Sequence, residues 1–440
     1  WPVAMAIPFP EKFLTLPKMV LISCMQGHQK YFLTHKKNGH IAPLAIAIAN
    51  LESKNKKMII NGNSRVLKAR LSDASFFFDQ DNKKTLSNLR GKLDLITFHP
   101  MLGTLGDKTE RIKILAGELA EIVHLNKEVV LRSAHLSRCD LTTNMVLEFN
   151  ELQGKIGAKY AARDNELDEV STAIGEFYRP AGNTEKPPKS PIGLVIAFAD
   201  RIDTLAGLFS INQPPSGNKD PFGLRRSAIA ALRINREKSM RLDLDKWILR
   251  AVQLQQVGEE TATAKIIKSF VLERQKMMLI EQGIRKDIVL ASIAQKQFNS
   301  YRNEILANIL SSSIRRRSFK NLVSSFKRID HIIEKSELNQ EFLLRNDNIN
   351  RSLLTHYDKE LLNSLKRIDK TTSQIDSRET LKNKLNQLLS LNQPIDTFFK
   401  QVLINDPIRN IQINRLCILS QIRELMQQLC AFQKIQIESE

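Results

Sequence analysis

The chain has 440 residues, 42% hydrophobic and 26% charged, with 66 Lys and Arg against 47 Asp and Glu, a net charge of +19. That balance excludes a disordered or fibrous chain and provides apolar material for roughly two to four packed domains. So large a surplus of cations favours a polyanionic partner, nucleic acid being the commonest.

The four cysteines, Cys24, Cys139, Cys417 and Cys430, form no C-x-x-C pair. Their spacing fits a reducing compartment and gives no zinc signature. The longest strongly apolar stretch, residues 41–51, is too short to span a bilayer, so no membrane partner is expected. No basic segment leads into an apolar one at the start, as a secretory signal requires. The opening WPVAMAIPFP reads as the middle of a domain whose N-terminal portion lies elsewhere.

In chain order, residues 1–95 read as mixed α/β. MVLISCMQ and KYFLTH are rich in strand formers, and IAPLAIAIAN suits a buried strand. NGN at residues 61–63 is a turn signal, and in the stretch after it Val66, Leu67, Leu71 and Ala74 recur at helical spacing. From Asp107 the pattern is helical, with Asp107 and Glu110 at capping-box spacing. KPPKSP breaks the helical run at residues 186–191. The apolar helix after it, residues 194–209, carries Asp200, Arg201 and Asp203.

SGNKDPFGLRR at residues 216–226 lacks the Lys-Ser or Lys-Thr of a phosphate-binding loop, because Lys219 is followed by Asp220 and Pro221. It reads better as a helix start, with Asp220 as N-cap and Pro221 at the first helical position. On that helix Arg225, Arg226, Arg233 and Arg236 fall within a sector of roughly 100°, which Phe222 and Ile229 share. Such a stripe either forks onto the phosphates of a polynucleotide or pairs internally with carboxylates such as Asp243 and Asp245.

A second basic helix is expected over residues 319–334. Phe319, Leu322, Val323, Phe326, Ile329 and Ile333 form its apolar face. Lys320, Ser324, Lys327 and His331 line the other side, with Arg328 beside them and Arg315, Arg316 and Arg317 just before. Breaks at Gln393-Pro394 and Asn405-Asp406-Pro407 set off the last helix, residues 408–432, which carries Arg409, Arg415 and Arg423. Arg415 lies on the apolar spacing of that helix, where burial against a carboxylate competes with exposure to phosphate.

Catalytic patterns are absent from the sequence. GTLGDKT only imitates a nucleotide loop, and G-x-S-x-G, G-x-G-x-x-G and H-E-x-x-H do not occur. His28, His35 and His40 lie close together without acidic ligands. His135, Asp140 and Asp200, spread over a helical segment, resemble the ligand set of an HD-type metal-dependent phosphohydrolase. The His-Asp doublet is missing, however, and Cys139-Asp140 stands where it is sought. No catalytic, cofactor or metal residue is therefore assigned to this chain.

GNKDPFGLRRSAIAALR resembles a signature of the bacterial-type glycyl-tRNA synthetase beta subunit. So do MVLISCMQGHQKYF, NGNSRVLKARLSDASFFFDQD, LGTLGDKTERI, CDLTTNMVLEFNELQGKIGAKYA, FADRIDTLAG and PIDTFFKQVLINDPIRNIQINRLCILSQIREL. These blocks follow the family order along essentially the whole chain. The resemblance implies a mainly α protein with an N-terminal mixed α/β portion (1–98), a degenerate HD-type helical domain (99–215), a helical linker or body (216–335) and a helical anticodon-binding-type domain (336–440). It further implies a cytoplasmic, non-catalytic, tRNA-binding subunit in an α2β2 heterotetramer. ATP, Mg and glycine would be held by the alpha subunit; the candidates for gripping tRNA(Gly), taken from the basic helix faces above, are Arg225, Arg226, Arg233, Arg236, Lys320, Lys327, Arg328, Arg409, Arg415 and Arg423. The alternatives are the HD-type hydrolase and a stand-alone helical nucleic-acid-binding protein.

Overall fold

The computed structural model describes residues 2–182, 185–237, 240–294, 298–336, 338–345, 348–368 and 377–437. It is mainly helical and divides into two compact units, Trp1–Met240 with Leu249–Thr263, and Arg241–Ile248 with Ala264–Glu440.

The first unit opens with an antiparallel sheet of β1 (Val3–Pro8), β2 (Phe32–His35) and β3 (Ile41–Ala49), in the order β1-β3-β2. Side chains alternate across a strand. Met5 and Ile7 of β1 pair with Ala47 and Ala45 of β3 on the buried face. The opposite face is also apolar: Ala4, Ala6 and Pro8 pair with Ile48, Ile46 and Leu44, and Phe32 with Ile46. There Phe32 is 58% exposed and Ile48 44%.

MVLISCMQ is helical rather than extended. Lys18–Ile22 is α-helix and Ser23–His28 continues it as a wider π-type turn. Val20, Leu21, Cys24 and Met25 are buried, a four-residue step that one side of a helix satisfies and the two-residue alternation of a strand does not. The NGN signal is likewise overridden. It lies inside the helix Lys56–Asp81, which Asn55 caps, and Asn63 is occupied by the Tyr31 hydroxyl, which donates to it at 2.7 Å. Leu67, Leu71 and Ala74 of that helix are buried, while Val66 is exposed.

The helix Leu105–Ile122 starts one turn earlier than its sequence suggests. Thr104 is the N-cap and Asp107 closes the capping box, leaving Glu110 to pair with Arg90 and Lys113. KPPKSP does break the chain, and the helix Pro191–Ser210 follows, with Ser190 as cap and Pro191 where a missing N–H costs nothing. Its interior is so deeply buried that even Asp200 and Asp203 are almost wholly shielded from solvent.

In the second unit the helix Arg317–Glu334 turns its predicted apolar face to the core, where Phe319 and Phe326 pack on Phe432. Pro394 falls in the first turn of the helix Asn392–Gln401, a position that tolerates it. The last long helix, Arg409–Gln427, supplies Leu416, Ile418, Leu419, Ile422 and Met426 to the same core.

Candidate nucleic-acid interface

The helix of the first arginine stripe is Leu224–Asn235, and its start differs from the expected one. Gly223, not Asp220, is the N-cap, with a left-handed backbone at φ 65°. Asp220 still serves the helix from a distance, its carboxylate accepting from the N–H groups of Leu224 at 2.8 Å and Arg225 at 3.0 Å. Pro221 and Phe222 therefore lie in the turn before the helix. Arg225 donates to the Gly217 carbonyl at 2.6 Å, and Arg233 to the carbonyls of Gly182, at 2.9 Å, and Glu185. Carbonyl partners position a guanidinium without neutralising it. Arg226 and Arg236 are exposed. Of the two aspartates weighed as internal partners, Asp245 pairs with Lys268 at 2.6 Å and Asp243 accepts the Asp245 N–H at 3.0 Å.

In the second unit Lys327 and Arg328 are exposed on the helix Arg317–Glu334, and Lys320 is half-buried. The Arg328 guanidinium lies 3.9 Å from the centre of the Phe399 ring, which holds it in place and leaves its charge intact. Arg409 is exposed at the first position of its helix. A cation there sits at the unfavourable end of the helix dipole, so helix stability does not account for it. The other two arginines of that helix face inward. Arg415 is buried, donating to Asp406 at 2.7 Å and the Leu403 carbonyl at 2.6 Å, with Asp358 at 3.5 Å. Arg423 pairs with Asp330 at 2.6 Å and Glu334 at 3.8 Å. Of the two fates open to Arg415 by its spacing, the structure takes burial.

Of the residues weighed as metal ligands, Asp200 is committed to ion pairs, as is its neighbour Asp203. Asp200 is bound by Arg138 and Arg201, with Lys108 at 3.4 Å. Asp203 receives Lys108 at 2.7 Å, Arg111 at 2.8 Å and the Gln255 amide at 2.9 Å. Burial works to raise both carboxyls, but these cations outweigh it and hold each below the usual carboxylate range. Asp140 behaves oppositely. Burial pushes it up to about 6, against the Gly154 N–H that donates to it at 2.6 Å. His135 lies near this region, and burial followed by the charge of Lys113 lowers its pKa. Among the described residues no group of three or more His, Cys, Asp and Glu side chains is placed to hold a metal ion. No helix among them is long and apolar enough to cross a membrane.

Sequence reasoning missed Lys108, Arg111 and Arg138 as the partners of these aspartates. It also missed His99, whose ring meets Phe222 edge-on at 6.0 Å.

Each unit thus carries exposed cations on a helix, on a mainly α scaffold with a small sheet. The family model described as Glycyl-tRNA synthetase beta subunit matches residues 1–294, and that described as DALR anticodon binding domain matches residues 322–437. The chain belongs to the glycyl-tRNA synthetase beta subunit family. It is 36% identical over 440 residues to the glycine–tRNA ligase beta subunit of Klebsiella pneumoniae subsp. pneumoniae, a match covering 99% of this chain and 63% of the relative. The beta subunits of Salmonella typhi and Pectobacterium carotovorum are similar at the same identity and the same coverage of each chain. The chain thus spans 63% of the length of these curated relatives.

Proposed function

We propose that this chain is the tRNA-binding portion of a glycine–tRNA ligase beta subunit, working with an alpha subunit in an α2β2 assembly in the cytoplasm. The alpha subunit would hold ATP, Mg and glycine and carry out the adenylation and transfer. This chain would hold tRNA(Gly) by its phosphates and present the acceptor end to the partner. The observation that carries the reading is that Arg225, Arg233 and Arg328 are positioned by carbonyls or an aromatic ring rather than by carboxylates, in a chain of net charge +19. Cations held rigidly with their charge intact suit phosphate oxygens. Lys320, Lys327 and Arg328 lie within or beside the segment matching the anticodon-binding family model, so the same chemistry there would grip the anticodon arm. A metal-dependent phosphohydrolase is less well supported, because Asp200, the distant carboxylate such a site would use, is already committed to three cations.

The test is a titration of tRNA(Gly) against the chain at several salt concentrations. Alanine at Lys320, Lys327 and Arg328 together should weaken binding to all tRNAs about equally. It should also flatten the salt slope by about one unit for each phosphate no longer neutralised. Unchanged affinity and slope would show that face to be merely solvated. Glycine-dependent pyrophosphate exchange should require the alpha subunit, and exchange by this chain alone would sink the division of labour.

A further inference from the structure

The turn carrying Phe222 has a feature that its helix does not need. Helix capping is complete without it, since Gly223 supplies the left-handed backbone and Asp220 takes two N–H groups. Phe222 nevertheless stays 40% exposed, although a ring of this size gains most by burial. The ring is held at a fixed attitude. His99, on the hairpin formed by Thr97–His99 and Gly103–Thr104, meets it edge-on with the ring planes at 68°. His99 is itself pinned, its Nδ1 accepting the Met101 N–H at 3.2 Å, and Met101 beside it is 59% exposed.

The turn that carries this ring is mainly basic. Arg226 is exposed and its guanidinium folds back over Gly223, so that a Cβ added there would lie 2.9 Å from Nη2. Lys219 is exposed on the same loop, and Arg225 is tied to the Gly217 carbonyl. The one acidic side chain of the turn, Asp220, is turned to the helix start, where both oxygens accept backbone N–H groups, and it keeps its charge against these cations.

We propose that Phe222, backed by His99 and flanked by Lys219 and Arg226, is a stacking platform for an unpaired nucleotide of RNA. This rests on the tRNA-binding reading and names the part of that ligand taken here. A fixed aromatic face offers any base a partner, and the adjacent guanidinium reaches its phosphate. A base inside an A-form helix has no free face to offer, so the ligand is single-stranded. The excess of basic side chains in the turn favours this occupant over an apolar protein surface.

The experiment measures anisotropy of the intact chain with three probes: tRNA(Gly), a 12-nucleotide single-stranded RNA, and the same strand in duplex. Phe222→Ala should weaken the single strand about 5- to 100-fold, with its salt slope unchanged and duplex binding unaltered. Phe222→Trp should keep or tighten it. Arg226→Ala should lower the slope for the single strand by about 0.7. Melting curves of all three variants should match the parent, because the ring lies outside the core. Parental affinity in Phe222→Ala, with tRNA still bound, would overturn the platform and leave the tRNA-binding reading standing. Failure of the unmodified chain to bind tRNA would overturn both. Loss of alpha-subunit binding with RNA affinity intact would also overturn it, making the patch a protein-docking surface.

Discussion

Lys108 is nearly inaccessible to solvent and stands between two aspartates, 2.7 Å from Asp203 and 3.4 Å from Asp200. Without Lys108, Asp200 keeps Arg138 and Arg201 and Asp203 keeps Arg111, so the loss is one buried charge-assisted hydrogen bond from a network that stays compensated. Lys108→Met should therefore destabilise the fold by about 2 kcal/mol, read from the urea midpoint at constant slope. The two aspartates are held below their unfolded pKa, so their contribution is present above pH 3.8 and is lost as the pH falls below it. Asp140 has the reverse sign. Its carboxyl is raised from 3.8 to about 6, so the stability it favours is complete below the lower value and is lost as the pH rises through the upper one. Asp140→Asn keeps an acceptor for the Gly154 N–H and removes that titration. The variant should gain on the parent by about 2 kcal/mol between pH 4 and pH 7, and parallel pH profiles would refute this. Asp140 and Asp200 were visible in the sequence as notable acids, but their partners were not. Lys108 and Asp203 are 95 positions apart, and Lys108 sits in a stretch whose local pattern mimics a nucleotide loop.

Elements whose signal is a long amphipathic period were legible in the sequence. The helix Arg317–Glu334 has the apolar face that its spacing dictates, because a stripe of six large side chains leaves only one way to face a core. Short apolar runs and turn residues were less legible. MVLISCMQ is an almost continuous apolar run from which neither period can be read, and the glycine of NGN is carried by a 26-residue helix whose packing outweighs one poor helix former. At the start of the helix Leu224–Asn235 the sequence supplied the right cap chemistry in the wrong register. Asp220 is the capping carboxylate, yet the turn inserts Pro221, Phe222 and Gly223 before the first helical residue. Gly223→Ala should cost about 1–2 kcal/mol, since a Cβ at φ 65° is strained and would press on Arg226. Asp220→Ala should cost about 1 kcal/mol through the missing cap. Thermal melts of the two variants check both figures, and parental melting of Gly223→Ala would mean that the turn relaxes freely.

For the molecule as a whole, the net charge of +19 pointed to a polyanion, and motif blocks along the chain pointed to the family whose model it matches. What the whole-chain charge could not reveal is its distribution. Arg415 and Arg423 count toward the total yet spend their charge on Asp406, Asp358, Asp330 and Glu334. Replacing Arg415 with Met should leave the salt slope of tRNA binding unchanged and lower stability by about 3 kcal/mol, because Asp358 would remain buried without its cation. A reduced slope with unchanged melting would reverse that assignment. The small sheet has a consequence of another kind. Its outward side, from Ala4, Ala6 and Pro8 across Leu44, Ile46 and Ile48 to Phe32, is an apolar band without a charged side chain among these seven to deter self-association. Handled alone in dilute buffer, the chain should light up an apolar fluorescent dye while fully folded and cling to plastic and to its own kind. Ile48→Lys with Phe32→Thr should quench the dye and raise the solubility limit without moving the melt.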